Sequence, residues 1–261
     1  MRDEIIRALN ELEERENCRI LFAAESGSRA WGFPSPDSDY DIRAIYAKPE
    51  AWYWDIAEKQ RDTFEAMLRG ELDVAAWELR KALRLFGRGN TALYEWFGSP
   101  IVYVADEGFL AEMRRLIPLY FNPIRAGHHY LALADNAFAS VDAGKEITLK
   151  KLFYALRGSF CAMWSVRFQS MPPTEFDRLL VPELLPREIL RRIAELKARK
   201  QRADEKAAIP LPQELHDFCI SLREDVLHRL DAMQFRHPGN DALNQLLQTC
   251  VRRSGRTEAG A

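Results

Sequence analysis

The stretch from Ser26 to Arg43 constrains this chain more than any other. It opens with a small turn, Gly27-Ser28, and after a spacer of ten residues reaches Asp39-Tyr40-Asp41-Ile42. The apolar run Ile20-Leu21-Phe22-Ala23-Ala24 leads in, and Ile42, Ala44, Ile45 and Tyr46 lead out. The pattern predicts strand, turn, short helix, loop, strand, with Pro34 and Pro36 enforcing the irregular loop. Asp39 and Asp41 lie two residues apart, so a strand over 39–46 presents both carboxylates on one face. Paired carboxylates beside a turn rich in backbone N–H groups suit divalent cations carrying a phosphate chain.

Composition narrows the class. The 261 residues carry a net charge of −2 and are 47% hydrophobic, enough for a packed core and too acidic for a chain basic throughout. Any nucleic-acid contact is therefore expected as a local patch. Cys18, Cys161, Cys219 and Cys250 are far apart and form no CxxC pair, which predicts reduced thiols and neither a disulfide framework nor a zinc site. The charged start Met1-Arg2-Asp3-Glu4 does not read as a signal peptide, and no apolar run reaches membrane-spanning length. The expectation is a cytoplasmic protein without a membrane partner.

Along the chain the texture changes near residue 105. Before it, strands and helices mix. Residues 3–16 predict an amphipathic helix, 18–24 and 39–46 strands, and Phe64–Leu68 and Leu72–Trp77 two more around a turn at Arg69-Gly70-Glu71. Glu78–Phe86 and Asn90–Phe97 read as helices, with Asn90 expected to cap the second. The aromatic cluster Trp52-Tyr53-Trp54 is expected to plug a core or an inter-domain space, with base stacking the minor alternative. After residue 107, helical periodicity takes over at 107–119, 123–143, 147–170, 187–206 and 212–236, followed by a short last helix and a mobile tail around Ser254-Gly255-Arg256. Residues 187–206 hold eight Lys/Arg and four Asp/Glu, which reads first as a solvated face and second as a basic surface. The expected fold is α+β: residues 1–105 a small mixed β-sheet core with flanking helices, and residues 106–261 an all-helical domain.

Two carboxylates rarely satisfy two hard cations, and Asp73, flanked by Leu72 and Val74, is the expected third acid. If its strand lies beside that of Asp39 and Asp41, the three converge on a two-ion site in which Asp73 helps deprotonate an attacking hydroxyl. Arg43 shares the strand face of Asp41, where its guanidinium either fixes the carboxylates or meets phosphate. Arg29, at the start of the short helix, is either a phosphate contact or a surface arginine. Lys150, Tyr154 and Arg157 fall at i, i+4 and i+7 on one helical stripe. Facing a cleft, that stripe supplies two cations for a triphosphate and an aromatic for a base; otherwise it is a solvated stripe with Tyr154 half-buried. His128-His129 point about 100° apart on a helix and predict packing or surface rather than chelation.

Gly27-Ser28, the ten-residue spacer and Asp39-Tyr40-Asp41-Ile42 resemble the signature of the DNA polymerase beta-like nucleotidyltransferase superfamily, with Ser26 standing where the general form has an apolar residue. The string from Glu25 to Gly32, with Ser38 to Arg43, Glu78 to Leu85, Gly89-Asn90, Glu95-Trp96 and Leu149 to Arg157, is similar to the RlaP, or RNA ligase-associated, branch. The resemblance spans roughly residues 20–180. It implies transfer of a nucleoside monophosphate from an NTP such as ATP to a hydroxyl, with two Mg²⁺ or Mn²⁺ ions. Carried over residue by residue, Gly27 and Ser28 hold the triphosphate, and Asp39, Asp41 and Asp73 are catalytic and bind metal. The branch implies an RNA 3′ end as acceptor, in RNA repair or tRNA processing. Protein or small-molecule hydroxyls are the alternative, and a non-catalytic nucleotide- or RNA-binding member is a third reading, which retention of all three acids disfavours.

Overall fold

A computed structural model describes residues 1–56, 61–68, 72–139, 141, 146–202, 204 and 207–254. In chain order the elements are α1 (Arg2–Glu16), β1 (Arg19–Glu25), α2 (Gly27–Trp31), β2 (Tyr40–Ala47), α3 (Glu50–Trp54), β3 (Thr63–Leu68), β4 (Leu72–Glu78), α4 (Leu79–Gly87), α5 (Thr91–Phe97) and β5 (Val102–Ala105). They continue with α6 (Glu107–Tyr120), α7 (Pro123–Phe138), β6 (Glu146–Thr148), α8 (Leu149–Phe168), α9 (Arg187–Lys200), β7 (Ala208–Pro210), α10 (Gln213–Asp231) and α11 (Asp241–Ser254). The class is α+β, as the periodicity predicts. The expected turn at Arg69-Gly70-Glu71 and the tail from Gly255 onward lie outside the described residues.

The chain forms two compact units. The first comprises residues 1–30, 39–120 and 237–261; the second comprises residues 31–38 and 121–236. This division differs from a boundary at residue 105. Helix α6 and the C-terminal α11 pack with the sheet, and the proline loop between α2 and β2 packs with the helices. Helical periodicity marks an apolar stripe without naming its partner.

In the first unit, five strands run in the order β3-β4-β2-β1-β5 among the described residues. β2 and β4 are parallel; the other neighbours are antiparallel. Helix α1 contributes Ile5, Leu9 and Leu12 to a core shared with Ile20, Ile42, Tyr46, Phe64 and Val74. Burying each large apolar side chain is worth roughly 1.5–3 kcal/mol. A second cluster joins Phe22, Phe86, Tyr94, Phe97 and Phe109 through ring contacts. With apolar partners for both faces, β1 is buried from Ile20 to Glu25, which accounts for its unbroken hydrophobic run.

In the second unit, α7 and α8 pack against each other, and Gly158 lies so near the α7 backbone that a Cβ there would come within 2.8 Å of the Tyr130 carbonyl oxygen. The long helix expected from residue 147 starts at Leu149, because residues 146–148 pair with β7 as a short antiparallel ladder. Phe33 sits among Phe153 and Phe176. Lys200, at the end of α9, is buried and donates to Ser35 at 2.7 Å. The charges of α9 are thus partly used at home: Lys197 pairs with Asp177, and Arg192 with Glu195 and Glu214. Among the described residues, no helix is long and apolar enough to cross a membrane.

Candidate active site

β1 delivers the chain to Glu25, and Gly27 then takes a left-handed backbone with φ of 60°. The turn folds back on β2, where the Ser26 N–H donates to the Asp41 carbonyl at 2.7 Å. Gly27 also lies against the Asp41 side chain. A Cβ built there would stand 2.1 Å from Asp41 Oδ2, so both the backbone and the space require glycine. Ser28 is buried in the single helical turn that follows.

The parallel pairing of β2 with β4 sets Asp41 directly opposite Asp73. Both side chains are partly open, 30% and 33% exposed. Arg43, on the same face of β2, reaches both: Nη2 lies 3.1 Å from Asp41 Oδ1 and 2.8 Å from Asp73 Oδ2. Its Nη1 donates to the carbonyls of Ile42 and Asp73. Of the two roles open to Arg43, the geometry displays the first: the guanidinium fixes the carboxylates.

Asp39 directly precedes β2, which begins at Tyr40, and is exposed. Its carbonyl accepts from Arg29 Nε at 3.1 Å, while the Arg29 guanidinium stacks 3.8 Å from the centroid of the Tyr40 ring. Of the three expected acids, the strand pairing brings Asp41 and Asp73 together, bridged by Arg43. Among the described residues, no group of three or more His, Cys, Asp or Glu side chains is set to hold a metal ion. The donor chemistry of the pair does fit a hard divalent cation, being all carboxylate oxygen, adjacent and partly exposed.

Glu25 completes the first unit's site, and chemical pattern alone did not mark it. Only its place as a lone carboxylate ending an apolar run hints at a role. It is buried, and it accepts from the Asp41 backbone N–H at 2.8 Å and from the Tyr103 hydroxyl. Burial raises its pKa above the ordinary carboxylate value, partly offset by these two hydrogen bonds, with Asp41 adding to the rise.

The other predicted residues lie in the second unit. Tyr154 meets Trp31 edge-on with ring centroids 4.9 Å apart, and the Arg157 guanidinium lies 4.3 Å from the centroid of the same ring. Tyr154 is half-buried, as is Lys150, but Arg157 is buried and also donates to the Thr174 carbonyl. The stripe is thus neither wholly solvated nor wholly open. Its last cation is used within the unit, because Trp31 offers a ring face there.

Other expectations resolve locally. Asn90 caps α5 by accepting from the Leu93 N–H, and His128 and His129 are exposed. None of the four cysteines is joined in a disulfide. The aromatic cluster departs from the expected plug: α3 buries none of its residues, and Trp54 is 73% exposed.

Over residues 1–249 the sequence matches the family described as the RNA repair pathway DNA polymerase beta family, RlaP. It is 38% identical over 252 residues to the uncharacterized protein YcgL of Bacillus subtilis (strain 168), covering 96% of each chain. A solved nucleotidyltransferase-like protein from Exiguobacterium sibiricum 255-15 aligns with 97% of this chain and 77% of its own, at 10% identity and a TM-score of 0.31.

Proposed function

Because the chain belongs to the RNA repair pathway DNA polymerase beta family, RlaP, we propose that it transfers a nucleoside monophosphate from an NTP to a hydroxyl, with an RNA end as the acceptor. The observation that carries this reading is the cross-strand pair Asp41–Asp73, with Gly27 pressed against Asp41. Family membership supports reading this as a nucleotidyltransferase site, and the pair lies within the motif that carries the resemblance.

In this reading Asp41 and Asp73 hold the divalent cation, with Asp39 as the motif's third carboxylate. When bound there, a divalent cation would supply charge neutralisation for the triphosphate and a lower pKa for the attacking hydroxyl. Gly27 and Ser28 hold the triphosphate, and a Cβ at residue 27 would displace the Asp41 carboxylate. Asp73 takes the proton of the acceptor hydroxyl. The acceptor oxygen forms its bond to the α-phosphorus, the α–β bridging P–O bond breaks, and pyrophosphate leaves. Arg43 orients both carboxylates, and Glu25 holds the Asp41 backbone. Arg29 is a candidate phosphate contact of the first unit; in the second unit Lys150 and Tyr154 are candidates for nucleotide binding, and Arg157 holds Trp31.

The test is incubation with Mg²⁺ and each NTP labelled at the α-phosphate, offering RNA, protein and small hydroxyl acceptors in parallel. Label is expected on RNA, and Asp41→Ala with Asp73→Ala is expected to abolish transfer in a folded chain. Undiminished transfer by that double variant would overturn the mechanism. Label appearing only on protein or small molecules would overturn the acceptor.

A further inference from the structure

Helix α4 buries Leu79, Ala82, Leu83 and Phe86; its opposite side carries Arg80 and Arg84, and Arg88 follows at its C-cap, all three exposed. These positions are i, i+4 and i+8, a run of about 12 Å along the helix axis. Within the first unit the line borders a cavity of about 340 Å³ whose other polar walls are His237, Asn240 and Asn244, over a floor of leucines. Among the described residues, no Asp or Glu lines it. His237 is fixed, its Nε2 2.8 Å from the Gly87 carbonyl oxygen and its Nδ1 accepting from the Gly239 N–H.

A second cavity of about 310 Å³ shares Arg80 and Leu247 with the first and is walled by Glu50, Tyr53, Trp54 and Arg252. Arg80 lies 5.0 Å from the Tyr53 ring centroid and 6.0 Å from that of Trp52. A tryptophan 73% exposed beside a row of arginines leaves a large apolar face in water. Arginines bind phosphate in bidentate fashion, amides read base edges, and an open indole stacks an unpaired base.

We propose that the surface made by α3, α4 and α11 binds a single-stranded polynucleotide, its successive phosphates on Arg80, Arg84 and Arg88 and a base on Trp54. The run of arginines and the two neighbouring cavities that share Arg80 and Leu247 offer room for more than one nucleotide. The exposed indole calls for an unstacked base, which a duplex does not offer. Identifying the bound strand as the acceptor rests on the nucleotidyltransferase reading; the binding itself does not.

The test is fluorescence anisotropy of a labelled single-stranded RNA of about twelve nucleotides, within the range such surfaces cover, against the full chain without metal or NTP over a series of salt concentrations. For Arg84→Ala with Arg88→Ala, the slope of log affinity against log salt should fall by about 0.7 per lost phosphate contact, roughly 1.4 in all. Trp54→Ala should weaken binding about tenfold with little change in slope. Circular dichroism melts verify folding, and Arg84→Gln with Arg88→Gln replaces a variant that melts early. Wild-type affinity in these variants, absence of binding by the parent chain, equal affinity for duplex RNA, or displacement by free ATP as effective as by unlabelled strand would each overturn the proposal. Asp41→Ala with Asp73→Ala should bind the strand as the parent does, which separates this site from failure of the catalytic reading.

Discussion

Glu25 shows how one residue links strand, site and pH. Its carboxyl is buried at the end of β1, between the Tyr103 hydroxyl and the Asp41 backbone. Its folded pKa is raised, chiefly by burial, from an ordinary value of 4.5. The unfolded chain therefore releases this proton at a lower pH than the folded one. The contribution to stability is full below about pH 4.5 and is lost as pH rises through the raised folded value. Glu25→Gln, with an amide that can accept from the Asp41 N–H and donate to Tyr103, should flatten this decline. Urea unfolding of both proteins from pH 4.5 to 8 checks it; parallel profiles would refute it. Gly27 belongs to the same scale: its positive φ and its contact with Asp41 explain why the motif carries glycine there.

At the scale of elements, α4 is held at its start by Glu78. This buried residue accepts from the backbone N–H groups of Arg80 and Lys81 and from the Tyr53 hydroxyl. It ties α3 to α4 and so orders both edges of the arginine track. Glu78→Ala removes the cap and leaves three donors without it, with an expected cost of about 2 kcal/mol or more. A thermal melt reads this as a clear fall in midpoint, and Glu78→Gln should recover part of it. The pairing of β2 with β4 is the other decisive element relation. The in-register step from Tyr40↔Leu72 to Tyr46↔Glu78 makes Asp41 and Asp73 neighbours. The alternation of β2 was readable from local sequence. Its register with a strand some 30 residues later was not, because period-two patterns fix a face and leave the partner open.

For the whole molecule, the first unit is closed by the end of the chain. His237 meets the Gly87 carbonyl, Tyr120 donates to the Gly239 carbonyl at 2.8 Å, and Leu243, Leu246, Cys250 and Val251 are buried. Ending the chain at Arg236 should therefore damage the sheet-containing unit rather than trim the helical one. Losing several buried apolar side chains costs on the order of 5 kcal/mol, comparable with the stability of many domains. The expected result is loss of the cooperative melt and of near-ultraviolet dichroism; a native melt of the truncated chain would contradict it.

The sequence by itself determined the α+β class, the β1-α2-β2 unit, the helical periodicity after residue 107 and the glycine-and-acid motif, because these depend on neighbours a few positions apart. Tertiary structure decided the rest. It paired Asp41 with Asp73 and placed Arg43 between them. It buried Arg157 against Trp31 and returned α11 to the first unit. It also left Trp54 in water, although hydrophobicity alone favoured burial. The physical reason is common to all of these. Local sequence specifies which face of an element is apolar or charged, and only packing of distant segments decides what that face meets.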